Sequence, residues 1–210
     1  IPENMSRILY LLRLWLSLLL LFALGKMVFL MYNADVSPFG CADAWQVWWH
    51  GLTMDISTAG YVTALPLLLA LISVWWRNLP LRWVLWPYLT VVAVLLAVII
   101  GGDTVLYEFW KFKLNAAIFG YMQNPEGATS SVSPLFIITR VGGILLLAVL
   151  AGWLLLRRTP VHFPAVRRRL VHTVLLVLCG GALFVGIRGG VQQGVMNVGV
   201  AYYSPSLFLN

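Results

Sequence analysis

The stretch DTVLYEFWKFKLNAAIFGYM, Asp103 to Met122, sets two acids and two lysines among six aromatic rings. It follows directly on an apolar run that closes with Ile99, Ile100, Gly101 and Gly102. Read as a helix, it places Leu106, Trp110 and Leu114 on one face beside Tyr107, while Glu108, Lys111 and Lys113 fall around the sides. Such a segment suits a membrane–water interface, with rings among acyl chains and charges among headgroups. Pro125 and Gly127, followed by ATSSVSP, end it. The chemistry open to these lysines is anion capture, because ammonium and guanidinium groups hold phosphate oxygens through charge-assisted hydrogen bonds. Lys26, Arg140 and Arg188 are the other bases that enter this question.

The elements that must position them follow from composition. The 210 residues are 61% hydrophobic and 10% charged, which excludes the water-soluble globular class. A helix crosses a hydrocarbon core of about 30 Å with roughly 17 to 25 apolar residues. The chain offers five such runs, at about 8–31, 56–76, 83–100, 135–156 and 170–187. The expected fold is therefore all-α: a polytopic membrane protein of five transmembrane helices, with interfacial segments at about 44–54 (AWQVWWHGLTM) and 103–122. The first run is too long, and lacks the small-residue cleavage site, to be a removable signal peptide, so it reads as a retained span. Many of the ten tryptophans lie near span ends, where indole rings rest at headgroup level. Pro66 and Pro87 fall inside spans, where neighbouring helices can re-satisfy the freed backbone.

Lysine and arginine counts orient the bundle. Arg7 and Arg13, Arg77 and Arg82, and the group Arg157, Arg158, Arg167, Arg168 and Arg169 assign three regions to the cytoplasm. The amino terminus is then inside and the chain leaves the membrane outside, at Arg188. Every acid except Glu3 falls on the outer side: Asp35, Asp43, Asp55, Asp103, Glu108 and Glu126. The net charge of +7 is mostly this topology signal, and nucleic-acid binding is a poor reading of it.

Five bases lie where the positive-inside rule does not ask for them: Lys26, Lys111, Lys113, Arg140 and Arg188. A charge on a membrane helix costs a few kcal/mol at the centre and less near the ends, so it has a partner or a task. Lys26 and Arg140 can snorkel to the outer headgroups while Lys111 and Lys113 pair with Asp103 and Glu108 across helical turns. Alternatively, Lys111, Lys113, Arg140 and Arg188 converge on a lipid phosphate, with Tyr107 and Trp110 positioning it and Asp55, Asp103 and Glu108 organising the bases. Both readings stay open on the sequence. No metal site is expected, since His50 and Asp55 lack the spacing of a ligand pair on one helix face. His162 and His172 are expected to be solvated or to face headgroups. Cys41 and Cys179 fall in a loop and a span and do not suggest a disulfide. Walker, GxGxxG and HExxH motifs are absent from the sequence.

Three stretches carry a resemblance: GLTMDISTAGYVTALPLLL, DTVLYEFWKFKLNAAIFGYMQNPEGATSSVS and RGGVQQGVMNVGVAYYSPSLFLN. Together they resemble the membrane domain of bacterial lipoteichoic-acid-synthase-like proteins, phosphoglycerol transferases of the sulfatase and alkaline phosphatase superfamily. The resemblance covers nearly the whole chain in order. It implies five helices in the bacterial cytoplasmic membrane, followed by an extracytoplasmic α/β catalytic domain that is a partner to this chain and not within it. That domain would use a threonine nucleophile and a divalent metal, commonly manganese, to move phosphoglycerol or a related group from an outer-leaflet phospholipid to an acceptor. No cofactor is expected in this chain, no catalytic residue is assigned to it, and residues 188–210 are expected to be the linker.

Three alternatives compete with that reading. Lipid A phosphoethanolamine transferases share the five-span plan. A stand-alone lipid transporter or translocase would need polar groups at mid-membrane facing a pathway, and the centres of the second, third and fifth spans carry only Thr, Ser or small residues. A passive anchor would merely tether and orient the outer domain.

Overall fold

The structure, a computed structural model, describes residues 3–35, 38–76, 78–110 and 133–190. Five helices make up the fold: α1 Glu3–Tyr32, α2 Cys41–Trp75, α3 Leu81–Trp110, α4 Pro134–Leu156 and α5 Arg169–Arg188. All are long and apolar enough to cross a membrane, and no strand occurs among the described residues. Each of the five apolar runs is carried by one helix; α4 and α5 match their runs to within a residue, whereas α1 and α2 begin well before theirs and α3 ends well after. The stretch 44–54, expected as an interfacial segment, is the first part of α2 and continuous with its span. Residues 103–110 likewise continue α3, and 111–122 lie outside the described residues. At 1.5 Å per residue, the 35 residues of α2 reach about 52 Å, well beyond the hydrocarbon thickness. Its first turns therefore emerge from the apolar layer, where Trp45 stacks on Trp49 with ring centroids 6.3 Å apart.

Local chemistry sets the helix ends. The backbone N–H of Gly40 donates to Asp43 Oδ2 at 2.8 Å where α2 begins. Ser133 Oγ accepts from the Phe136 N–H at 3.3 Å, with Pro134 following as the first helical residue of α4. Helix α5 stops at Gly189, whose φ of 86° is the left-handed conformation that glycine adopts without steric cost.

Helix α1 runs through the middle of the bundle and touches all four others; α4 packs on α3, and α5 packs on α2. The core joins Leu14 and Leu18 of α1 to Ala70 of α2 and to Leu85 and Leu89 of α3. Lipid tails are as apolar as leucine, so helices in a bilayer adhere by close packing and hydrogen bonds more than by escape from water. Gly60 shows this on the α2–α5 seam, where a Cβ would stand 2.6 Å from Ile187 Cγ1. Beside it Ser57 Oγ donates to the Ile187 carbonyl at 2.7 Å. On the α3–α4 seam, Gly101 leaves the space that Ile144 fills.

Pro66 sits buried inside α2 and has no N–H for the carbonyl of Val62, one turn earlier. The Tyr88 hydroxyl of α3 donates to that carbonyl at 2.9 Å, supplying the missing bond from the neighbouring helix.

At the arginine-rich end Arg7 is 1% exposed. Its Nε donates to Ser73 Oγ at 3.1 Å and its Nη2 to the Ser73 carbonyl at 3.2 Å, while its guanidinium lies 5.0 Å from the Phe163 ring. This holds the α4–α5 connection against the ends of α1 and α2. His172, expected to be solvated, is instead buried in the first turn of α5, with Nδ1 2.8 Å from the Arg168 carbonyl. The helix it starts packs on α2. His162 is exposed.

Replacing Tyr88 by phenylalanine keeps the ring and orphans the Val62 carbonyl. The loss is expected to be about 1–3 kcal/mol, read as a lowered midpoint of thermal unfolding in detergent.

Candidate functional site

All described acids other than Glu3 gather at the opposite end of the bundle, and the site is built there from α1, α2, α3 and α4. Lys26 of α1 donates from Nζ to Asp55 Oδ2 of α2 at 2.6 Å, and the two side chains are 6% and 7% exposed. Gly51, one turn before Asp55, makes the pair possible: a Cβ there would stand 2.8 Å from Lys26 Cε and closer still to the ammonium. The pair lines a cavity of about 230 Å³, with Asp103 of α3 on the same wall and Phe22, Phe29 and Ile100 among its apolar sides. A buried ion pair in apolar surroundings gains little net energy over apolar packing, but removing one member leaves an uncompensated charge.

Above this pair, the ends of α1 and α3 are joined by polar side chains. Asn33 Nδ2 donates to the carbonyls of Phe29 and Thr104, each at 3.1 Å. The Tyr32 hydroxyl donates to Glu108 Oε2 at 3.1 Å. Tyr107 is buried edge-on against Phe29, with ring centroids 5.0 Å apart.

Arg140, in the second turn of α4, lies across this junction. Its guanidinium carbon is 4.9 Å from the Tyr32 ring centroid and 4.7 Å from that of Phe136. Each such cation–π contact is worth about 0.5–1 kcal/mol at an exposed site, and together they fix the orientation of the guanidinium. Its Nε is buried without a hydrogen-bond partner, and no described carboxylate is within ion-pair distance. Arg140 also lines a groove of about 280 Å³ between α1, α3 and α4, which runs along α4 as far as Leu150. Val28, Val105, Ile144 and Leu147 make its walls apolar. Ten residues of helix separate Arg140 from Leu150, so the groove extends about 15 Å along α4 from the charge. A planar five-donor cation at one end of an apolar slot has the form of a receptor for an anionic headgroup with an acyl chain attached.

The residues singled out in the sequence are distributed unevenly. Asp55 and Asp103 meet at the Lys26 cavity, and Glu108 meets Arg140 through the shared Tyr32 ring. Arg188 is exposed at the end of α5, on the α2 side of the bundle, away from Arg140 on α4. Tyr107 packs inside the α1–α2–α3 junction with Phe29, Leu30 and Val47. Lys111 and Lys113 lie outside the described residues; Trp110 ends α3, and its side chain is likewise outside them. Sequence reasoning missed Tyr32 and Phe136, the rings that hold Arg140. Phe136 stands four residues before Arg140 on one helix, a spacing that places the two in contact.

No family model, curated protein or solved structure matches this chain.

Replacing Lys26 by methionine or Asp55 by leucine is expected to cost about 3–5 kcal/mol each, because the survivor stays buried and loses the counter-charge at 2.6 Å. The double replacement K26M/D55L recovers most of that loss. Unfolding midpoints of the four proteins in detergent measure the coupling directly.

Proposed function

We propose that this chain is the membrane part of a bacterial transferase that moves phosphoglycerol or a related phospho-group from a phospholipid to an extracytoplasmic acceptor, and that the Arg140 groove holds the donor lipid. The observation that carries this reading is Arg140 itself. It is a cation clamped between two rings at one end of an apolar slot, at the end of the bundle that the positive-inside rule assigns to the outer leaflet. A guanidinium whose orientation is already fixed loses little freedom when it takes up a phosphate, and the apolar surroundings strengthen the contact. The groove accepts the acyl chain, so recognition joins charge at one end to burial along the rest.

On this reading the Lys26–Asp55 pair supports the site by fixing α1, which carries Tyr32, against α2. Arg188 adds a base at the same end of the bundle, on the α2 side; Lys111 and Lys113 lie outside the described residues. The transfer step belongs to an extracytoplasmic domain with a divalent metal, as the resemblance to lipoteichoic-acid-synthase-like proteins implies. The role of the present chain is to bind the donor and set the height at which its phosphate stands.

Arg140→Gln removes the charge and keeps much of the stem. Retention of phosphatidylglycerol by the purified protein is expected to fall about tenfold or more, since a hydrogen bond to a charged group is worth about 1.5–3 kcal/mol. Arg140→Lys keeps an intermediate level, because an ammonium holds phosphate as a point charge and not as a fork. Equal retention by wild type and R140Q overturns the assignment.

Orientation has its own measurement. In a Cys179→Ala background the exposed Cys41, at the start of α2, is expected to react with a membrane-impermeant maleimide added to intact cells. His162→Cys, in a background where both Cys41 and Cys179 are alanine, reacts only after permeabilisation; the opposite pattern inverts the bundle.

A further inference from the structure

The arginine-rich end holds a second groove that the proposed function does not use. It lies between α1 and α4, has a volume of about 250 Å³, and is lined by Arg13, Arg157 and Arg158. Its polar lining includes Tyr10, which is 7% exposed. The buried Tyr10 hydroxyl faces Thr159 without completing a hydrogen bond. Topology asks only that arginines be present at this end of the bundle. It does not ask that three of them line one groove beside a buried hydroxyl that still has a proton to donate.

Among the described side chains the charge in the groove is uncompensated. No acid among the described side chains lies at this end, and the Lys26–Asp55 ion pair is at the other. The Arg157 guanidinium is 4.1 Å from the Trp153 ring centroid, which restrains it without neutralising it. Three guanidiniums lining one recess repel one another, and an anion seated among them removes that repulsion.

The rest of the lining selects the kind of anion. From Arg13 the groove continues along α1 past Leu16 and Ser17 to Leu20, with Leu154 of α4 across from them. Arg13 to Leu20 is about 10 Å along the helix, and Leu16 and Leu20 are each about half exposed, which gives an acyl chain an apolar wall to lie on. A free phosphate would make no use of that wall. We propose that this groove binds an anionic phospholipid of the leaflet at the arginine-rich end, its phosphate among Arg13, Arg157 and Arg158 with the Tyr10 hydroxyl as a further donor, and one chain along Leu16 and Leu20. The site is separate from the Arg140 groove and stands whether or not that groove holds a donor lipid. Basic recesses between membrane helices are a general means of holding phospholipid headgroups.

The test uses the purified protein in detergent, titrated with cardiolipin, phosphatidylglycerol, phosphatidylcholine or inorganic phosphate, and read by native mass spectrometry and thermal stability. Cardiolipin and phosphatidylglycerol are expected to remain bound and raise the midpoint, and phosphatidylcholine is not. The triple variant Arg13→Gln, Arg157→Gln, Arg158→Gln should weaken anionic-lipid binding about a hundredfold, while a control with Arg82, Arg167 and Arg168 changed to Gln, equal in charge and at the same end, keeps it. Tyr10→Phe should weaken it severalfold, and R140Q should leave this binding unchanged. Equal loss in the control triple would mean diffuse attraction and overturn the site. Protection by inorganic phosphate alone, to the same midpoint as the lipids, would overturn the lipid assignment in favour of a soluble anion. A midpoint of the triple variant without added lipid that is no lower than that of the wild type shows that folding is not what was lost.

Discussion

A charge placed among hydrocarbon chains has to bring its own counter-charge, and the pair Lys26–Asp55 meets that demand at the point where three helices meet. The ammonium comes from α1, the carboxylate from α2, and Asp103 of α3 faces the same small cavity. Neither partner can leave without stranding the other, so the relative height of α1 and α2 is fixed by electrostatics as well as by packing. Gly51 belongs to the same arrangement, since any side chain there would occupy the space of the lysine. The ring of Tyr32, on which Arg140 rests, lies nearly two turns further along α1 and takes its position from this anchor.

The same demand explains the other polar contacts inside the bundle. Tyr88 serves the carbonyl that Pro66 leaves open, Ser57 serves the last turn of α5, and Arg7 is spread over Ser73 and Phe163. Each of these contacts joins different helices or connections, so satisfying polar groups and assembling the bundle are one process. The two ends then differ in what remains unsatisfied. At one end Arg140 lies across rings with its Nε unpartnered; at the other, Arg13, Arg157 and Arg158 share a groove without an acid.

The helices were legible because length and apolarity are properties of contiguous residues. A run such as Leu135 to Leu156 has few alternatives to crossing a bilayer, and it forms α4 almost to the residue. The site was only partly legible, because periodicity assigns a residue to a face and does not say what the face meets. Lys26 stood out as an odd charge, and Asp55 as a possible partner of bases, yet their separation of 29 positions in the chain hides the pairing. Arg7 looked like one more vote for topology, and only the fold shows it buried. Tyr107 was placed with Leu106 and Trp110 on a face toward lipid, whereas its ring turns inward to Phe29 because α3 continues unbroken alongside the end of α1.

The hydroxyl of Ser57 on the carbonyl of Ile187 has a mechanical meaning as well. Because that bond sits in the last turn of α5, two residues before the left-handed Gly189, the end of the helix is tied directly to α2. Tension on the polypeptide beyond that glycine is passed to the helix that carries Asp55 and is not dissipated in a frayed end. The end of α5 is thus moored, and a pull on it is shared with α2.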